Sequence, residues 1–524
     1  MFGAALLVAG TVLGAGGAYA QPSPSPGGHS AGQGEDDNSQ GDQGGRDGRD
    51  GRDGRKGEQG KGKAGPSQSP GRRAEPPAGT PGSSGGGSGS GSPVARPVPA
   101  TGAVLAVAES GPEAAVPTAQ GLQQALAPVL ADKSLGTVTL AVADAAGGQL
   151  LYGSGENTPA TPASTTKLAT SVAALSLIPA DTRLSTRVVR GADPGSITLV
   201  GGGDPTLTAL PADQVQLGGG PADADTAPAS LEALARQTAT ALKAAGTTTV
   251  RLDYDLSLYP DSTQQRKPDN ENLALVVPLM VDEAKVDPKS KEEAPARVAD
   301  PAGAAATAFA TMLAAQGVTV EGKAKPATSP AAADAPVLGK VDSPTVARLV
   351  ERLLTTSDNQ LAEAIARQVA LAGHQPAGYE GAAAAVTKEL GRLGVPMTGV
   401  VLNDGSGLNT DNQIPPAVLV RILALAASDQ HPVLRPVLTG LPVAGFTGTL
   451  SKRFGSGSGA ADAAGLVRAK TGTLSGVNTL AGTAVDADGR LLAFAVMTRT
   501  TAPADTARAA MDRIAARLTS CGCH

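Results

Sequence analysis

Between Gln21 and Pro112 the chain has no stretch that can bury a face. Ser-Pro pairs, Gly-Ser runs and interspersed charges cannot remove enough apolar surface from water to offset the entropy of ordering. Glycine recurs every third residue from Gly45 to Gly60, but the run is short, lacks proline and breaks at Gly62. It reads as a charged linker and not as a collagen strand. Residues 21–115 are therefore taken as linker, and whatever folds is built from the residues after them. At 524 residues the chain has length for roughly three domains. Its only cysteines are Cys521 and Cys523, so the fold rests on its apolar core without a disulfide framework. The tail 521–524 reads as a frayed end whose thiols are free or paired between chains. It has too few ligands for a metal site, and no metal or other cofactor is expected.

Ahead of the linker, Phe2 to Ala20 is apolar and ends Ala18-Tyr19-Ala20-Gln21, an A-x-A cleavage signal. No Lys or Arg precedes the run, and it is barely long enough to serve as an uncleaved anchor. Signal peptide and anchor alike imply export, with the linker letting a domain stand off a membrane or reach into a wall. The net charge of −5 gives no support for nucleic-acid binding. With no Trp and only 2% aromatics, a base-stacking surface is also missing.

Ordered patterning starts near Ala119, where Leu122, Leu126, Val129 and Leu130 mark a short helix. Val138–Val142 and Gln149–Tyr152 flank Gly147-Gly148 as a hairpin. A helix follows at once, with Thr161 as its cap, Pro162 at its first position and Leu168, Val172 and Leu175 as a buried stripe. Residues 185–338 change character, with short strands at Ser196–Val200 and Thr248–Leu252 and a helix at Ala304–Gln316; they read as one or two inserted lobes. Ser343 and Pro344 open a further helix that ends at Ser357-Asp358-Asn359, and a second helical pattern continues from there. Gly465–Thr473 reads as a strand, Leu480–Val485 and Leu491–Thr498 flank Asp488-Gly489 as a hairpin, and Met511, Ile514 and Leu518 mark a closing helix. This order fits an α+β fold: an antiparallel sheet flanked by helices, formed by 116–184 and 339–520, with the smaller lobe or lobes inserted between.

Three short motifs stand along that framework: Ser164-x-x-Lys167, Ser357-x-Asn359 and Lys470-Thr471-Gly472. A serine and an amine three residues apart share one helix face and can serve as nucleophile and base. Each motif is weak alone, and the ordered set is strong. The set resembles the penicillin-recognising serine acyltransferases, the penicillin-binding proteins and serine β-lactamases. Gly201-Gly202-Gly203-Asp204-Pro205, Asp404-Gly405-Ser406-Gly407-Leu408 and Leu441-Pro442-Val443-Ala444-Gly445 are similar to markers of the class C low-molecular-mass branch, the D-alanyl-D-alanine carboxypeptidase/endopeptidases. That branch carries extra lobes between its first and second motifs.

The resemblance implies a role for each residue. Ser164 attacks the carbonyl of the penultimate D-alanine of a peptidoglycan stem peptide, and Lys167 takes its proton. Lys167 must then be neutral, well below the usual lysine range, with Lys470 and the positive end of the helix expected to push it there. Ser357 passes a proton to the leaving amine, and Asn359 holds the substrate amide. Lys470 and Thr471 bind the terminal carboxylate, of D-alanine or of a β-lactam. Gly472 lets the substrate lie close, and the backbone N–H groups of Ser164 and Thr473 form the oxyanion hole. β-Lactams acylate Ser164 as inhibitors. Asn409-Thr410 stands where relatives can carry an arginine, which leaves the stem-peptide residue open. Three rival readings remain: a serine β-lactamase, for which no Glu-x-x-Leu-Asn is found; a Ser-His-Asp hydrolase, whose Gly-x-Ser-x-Gly matches fall in the linker; and a wall protein acylated without useful turnover.

Overall fold

A computed structural model of the protein describes residues 114–217, 220–259, 272–290, 292 and 294–524. The expected leader at 1–20, and all of the expected linker before residue 114 with its glycine-periodic run, lie outside the described residues. The chain enters through helix α1 (Ala119–Leu130), the hairpin β1 (Thr137–Asp144) and β2 (Leu150–Ser154), and helix α2 (Thr166–Leu177). It then builds β3 (Arg183–Arg190), β4 (Ser196–Val200), a short pair β5 (Gln216–Leu217) and β6 (Gly220–Pro221), α3 (Leu231–Ala244) and β7 (Thr249–Asp255). Next come α4 (Pro301–Ala315), β8 (Thr319–Val320), β9 (Lys325–Pro326) and β10 (Val337–Thr345). Five helices follow: α5 (Val346–Thr356), α6 (Asn359–Ala372), α7 (Tyr379–Arg392), α8 (Pro416–Ala427) and α9 (Arg435–Thr439). Strands β11 (Val467–Leu474), β12 (Val477–Val485) and β13 (Leu491–Arg499) and helix α10 (Ala504–Thr519) close the chain.

The fold is α+β, as expected. Its main sheet is antiparallel in the order β11-β12-β13-β1-β2, so strands from the two ends of the folded part lie side by side. The inner strands β12 and β13 are buried along nearly their whole length, which requires cover on both faces. Side-chain size sorts the faces. Leu140, Val142, Phe494 and Val496 pack with Leu122 and Leu126 of α1 and Ile514 and Leu518 of α10. Alternate residues Ala141, Ala143, Ala493 and Ala495 face Leu168 and Val172 of α2 and Ile422 of α8. The alanines let helices lie close on that face, because successive side chains of a strand point to opposite sides.

Two expectations about helix starts are corrected. Thr161 does not cap α2: its hydroxyl donates to Thr410 O, and the chain makes a 3-10 turn, Ala163–Thr165, which holds Ser164, before α2 begins. Nor is α2 buried on one stripe only, since every residue from Thr166 to Leu175 is buried. Ser343 is likewise no cap. β10 runs on to Thr345, which caps α5 by accepting from Arg348 N, while the buried Ser343 hydroxyl accepts from Leu184 N at 2.9 Å. Pairing with β3 keeps these residues extended past the point where proline suits a helix start.

Strands β10, β3, β4, β7 and β8 form a second sheet, with β9 beside β7. β4 and β7 run parallel, and α3 and α4 supply Leu234, Leu242, Phe309 and Leu313 to a core separate from that of the main sheet. The chain leaves the main sheet's helices on β3 and returns on β10, its antiparallel neighbour. The tail is not frayed. Cys521 is buried against α10 and the main sheet, Cys523 O accepts from Thr118 N at 2.7 Å, and Cys521 pairs with Cys523 within the chain.

Candidate active site

The Ser164 turn is held by its own hydroxyl-bearing neighbours. Thr165 Oγ1 donates to Pro162 O at 2.6 Å, Thr166 Oγ1 to Ala163 O at 2.9 Å, and Thr479 Oγ1, from β12, to Pro162 O at 2.8 Å. Ala163 has a positive φ of 47°, an uncommon conformation for a residue with a side chain. Gly472 of β11 lies directly against this turn: a Cβ there meets Ser164 N and Pro162 O at 2.9 Å. Glycine at this strand position is thus needed for close packing on the Ser164 turn.

Lys167, in the first turn of α2, is fully buried and reaches three acceptors. Its Nζ donates to Ser164 Oγ at 2.9 Å, to Asn359 Oδ1 at 2.7 Å and to Ser406 O at 2.7 Å. Burial pulls this lysine down to about 8, against the opposing pull of Asp404, Glu363 and Asp358. The expected cause was repulsion by Lys470 and the helix end; desolvation is what acts, because a sealed ammonium loses its hydration. The three contacts also suit a neutral amine, which donates to Asn359 and Ser406 and accepts the Ser164 hydroxyl proton.

Ser357 sits between α5 and α6 in the left-handed region (φ 60°, ψ 30°), and this breaks the helix so that Asp358 can cap α6. Lys470 Nζ, on β11, donates to Ser357 Oγ and to Thr471 O, both at 2.8 Å. The first motif therefore meets the second through Lys167 and Asn359, and the second meets the third through Ser357 and Lys470. β11 is the edge strand of its sheet. Residues 442–444 cover its first half, with Ala469 N donating to Pro442 O at 2.9 Å. An edge of this kind offers backbone groups to which an extended peptide can add as a strand. Thr471 Oγ1 is 2.8 Å from Thr449 Oγ1, and Thr473 Oγ1 accepts from Arg508 Nη2 at 3.1 Å. Hydrogen bonds join Ser164, Lys167 and Asn359, and join Ser357, Lys470 and Thr471; Gly472 packs on the Ser164 turn, while Thr473, next to it on β11, bonds Arg508.

Sequence reasoning missed the shell behind Lys167. Glu363, on α6, accepts from Gly405 N at 3.1 Å and Ser406 N at 2.8 Å, and pairs with the buried Arg367 at 3.0 Å. Asp404 accepts from Gly407 N and Asn412 Nδ2, each at 2.8 Å, and from Asn409 N at 2.6 Å. The Asp404–Leu408 marker is the loop that presents the Ser406 carbonyl to Lys167; the marker was legible, its partner Glu363 was not. Thr449 likewise stands just beyond the Leu441–Gly445 marker.

A model of the D-Ala-D-Ala carboxypeptidase 3 (S13) family matches residues 122–295 and 284–518. The chain belongs to this family. As an S13 member it is a D-Ala-D-Ala carboxypeptidase, a hydrolase. Over 418 residues it is 36% identical to carboxypeptidase DacB of Mycolicibacterium smegmatis, covering 78% of this chain and 86% of that one. A carboxypeptidase of Mycobacterium tuberculosis is 34% identical over 438 residues, 82% of this chain and 89% of its own. Among solved structures, penicillin binding protein 4 of Haemophilus influenzae superposes with a TM-score of 0.58 at 20% identity, over 75% of this S13 chain and 97% of that chain. At that identity the likeness speaks for the fold.

Proposed function

We propose that this S13 carboxypeptidase removes the terminal D-alanine of peptidoglycan stem peptides, and opens D-amino-acid cross-links by the same steps, through an acyl-enzyme on Ser164. The observation that carries the reading is the placement of Lys167 Nζ between Ser164 Oγ and Asn359 Oδ1 while Lys470 Nζ holds Ser357 Oγ. Neutral Lys167 takes the Ser164 proton as Oγ bonds to the carbonyl carbon of the penultimate residue. The backbone N–H groups of Ser164 and Thr473 receive the oxyanion. Ser357, polarised by Lys470, relays a proton to the leaving nitrogen, the C–N bond breaks and D-alanine departs. Thr471 and Lys470 hold its carboxylate, and Asn359 holds the stem amide. Water then attacks the ester, Lys167 takes one of its protons, and Ser164 Oγ leaves with a proton to restore the hydroxyl. A β-lactam enters the same sequence and stops at the ester. The substrate lies outside the cytoplasm, so residues 1–20 act as leader or anchor and 21–115 as linker to the wall.

Intact-mass measurement after incubation with a β-lactam, with peptide mapping of the adduct, tests the reading. A stable adduct on Ser164, absent in Ser164→Ala, together with release of D-alanine from a stem pentapeptide, is the expected result. Rapid destruction of the penicillin points to the β-lactamase chemistry instead. A stable adduct without D-alanine release points to a wall protein that is acylated but does not turn over.

A further inference from the structure

Strand β11 carries two hydroxyls on one face, and each is met by a group from outside the three motifs. The pairing of β11 with β12 runs unbroken from Val467 to Leu474. Side chains therefore alternate, and Thr471 and Thr473 share one face while Lys470 and Gly472 take the other. Lys470 is bonded to Ser357 and Gly472 packs on the Ser164 turn, whereas Thr471 is half-buried and Thr473 exposed. Thr449, on the 3-10 turn Gly448–Leu450, places its Oγ1 2.8 Å from Thr471 Oγ1. Arg508, in the second turn of α10, donates from Nη2 to Thr473 Oγ1 at 3.1 Å. The face thus bears a row of three hydroxyls that ends in a guanidinium.

The direction of these bonds decides what the row can hold. An arginine has donors only, so Thr473 Oγ1 is the acceptor and keeps its own proton for a further partner. The charge behind that oxygen makes the free O–H a stronger donor. Residues two apart on a strand lie about 6.6 Å apart. A carboxylate whose two oxygens each accept an O–H bond of about 2.7 Å spans such a gap.

Arg508 has a fixed base and a loosely held head. Its backbone carbonyl accepts from Arg453 Nη2 at 3.2 Å. Arg453 is held in turn by a mostly buried pair with Asp512, at 3.1 and 2.5 Å. The Arg508 side chain is 34% exposed, and its Nη1 lies 3.1 Å from Asp505 Oδ1, a carboxylate that is 95% exposed. So open an ion pair is weak, and it gives way to a better-placed anion.

We propose that Arg508 is a specificity-determining residue: with Thr473 Oγ1 it binds the terminal carboxylate of the substrate, or the ring carboxylate of a β-lactam, beside Thr471. The inference rests on the catalytic reading of Ser164 and on Thr471 as a carboxylate ligand, and it adds to them a group from α10. Lys470 points its ammonium at Ser357 on the opposite face, so Arg508 brings a full charge to the hydroxyl face. Its planar fork stays charged at every pH at which the enzyme works and matches a carboxylate. The class it selects is a peptide whose leaving residue keeps a free carboxylate. An amidated or extended leaving residue has none to offer.

The test compares the full chain with Arg508→Ala and Arg508→Lys, using benzylpenicillin and its neutral methyl ester as probes. Acylation of Ser164 is followed by intact mass against probe concentration, which separates the half-saturating concentration from the limiting rate. Arg508→Ala is expected to raise half-saturation by the acid about 10- to 100-fold, as loss of a hydrogen bond to a charged group does. The limiting rate stays unchanged, because the carboxylate is held alike in the ground and transition states. Acylation by the ester stays at the wild-type rate. Arg508→Lys, which keeps the charge but not the fork, falls between. Release of D-alanine from a stem pentapeptide shows the same rise, in KM. Should Arg508→Ala melt early, Arg508→Lys carries the same comparison. The proposal is overturned if the variants react with the acid as wild type does. It is overturned equally if acid and ester slow by the same factor, which is what a merely structural hold on Thr473 produces. A wild type that forms no Ser164 adduct with either probe overturns the catalytic reading itself, and is a different result.

Discussion

At the scale of the residue, a lysine sealed from water and ringed by acceptors is poised to give up its proton, and in the mechanism proposed above that state of Lys167 sets the rate. With burial bringing it down to about 8, the neutral fraction grows as pH rises toward that value. Acylation by a penicillin is expected to climb about tenfold per pH unit below about 8 and level off above it. Stopped-flow rates across that range decide the matter, and a flat profile excludes Lys167 as the base. The acidic shell acts in the opposite sense, since Asp404, Glu363 and Asp358 all favour the ammonium. Glu363→Gln is therefore expected to move the acid limb down by about one pH unit. The same change removes the carboxylate charge that pairs with the buried Arg367 and costs about 3 kcal/mol or more of stability, read as a lower melting temperature.

At the scale of the element, the site is where one edge strand meets two helix starts. Gly472→Ala sets a methyl group against Ser164 N and Pro162 O, backbone atoms that cannot swing aside. Acylation is expected to fall at least about 100-fold while the circular dichroism spectrum stays native, because the change lies on a partly uncovered edge. The alanine face of the main sheet is the complementary case. Ala495→Leu overfills the space under α2 and α8 and is expected to cost about 1–3 kcal/mol by chemical denaturation. The same volume added on the solvent side of an exposed helix costs far less.

At the scale of the molecule, strands from the two ends of the described part close one sheet, and residues between β7 and α4 bond to α6, the helix that begins at the second motif. A protein starting at residue 114 contains α1 through the Cys521–Cys523 tail, with every contact described for the site. It is expected to form the Ser164 adduct at the full-length rate; a loss of more than about threefold, well beyond the reach of a solvated linker, assigns the preceding residues a part in catalysis. Helices with a clear stripe, such as α1 and α10, were visible as periodicity, and so were the hairpins at Gly147-Gly148 and Asp488-Gly489. α8 was not, because a helix apolar on nearly every side has no stripe to show, and α7 was not, because alanines fill most of the stripe that Val386 and Leu390 mark. The caps at Thr161 and Ser343 were misplaced because strand pairing and a 3-10 turn overrode local preference.

The sequence by itself determined the order and chemistry of the three motifs, and with them the family, since residue types at fixed spacing on one element need no fold to be recognised. Tertiary structure alone decided what pulls Lys167 below the usual lysine range, what holds the Ser406 carbonyl, and how closely Gly472 lies on the Ser164 turn. Each of these depends on groups far apart in the chain that come within hydrogen-bond reach only after the core has closed and water has been excluded. Burial and long-range contact leave no local pattern, so no window of sequence carries them.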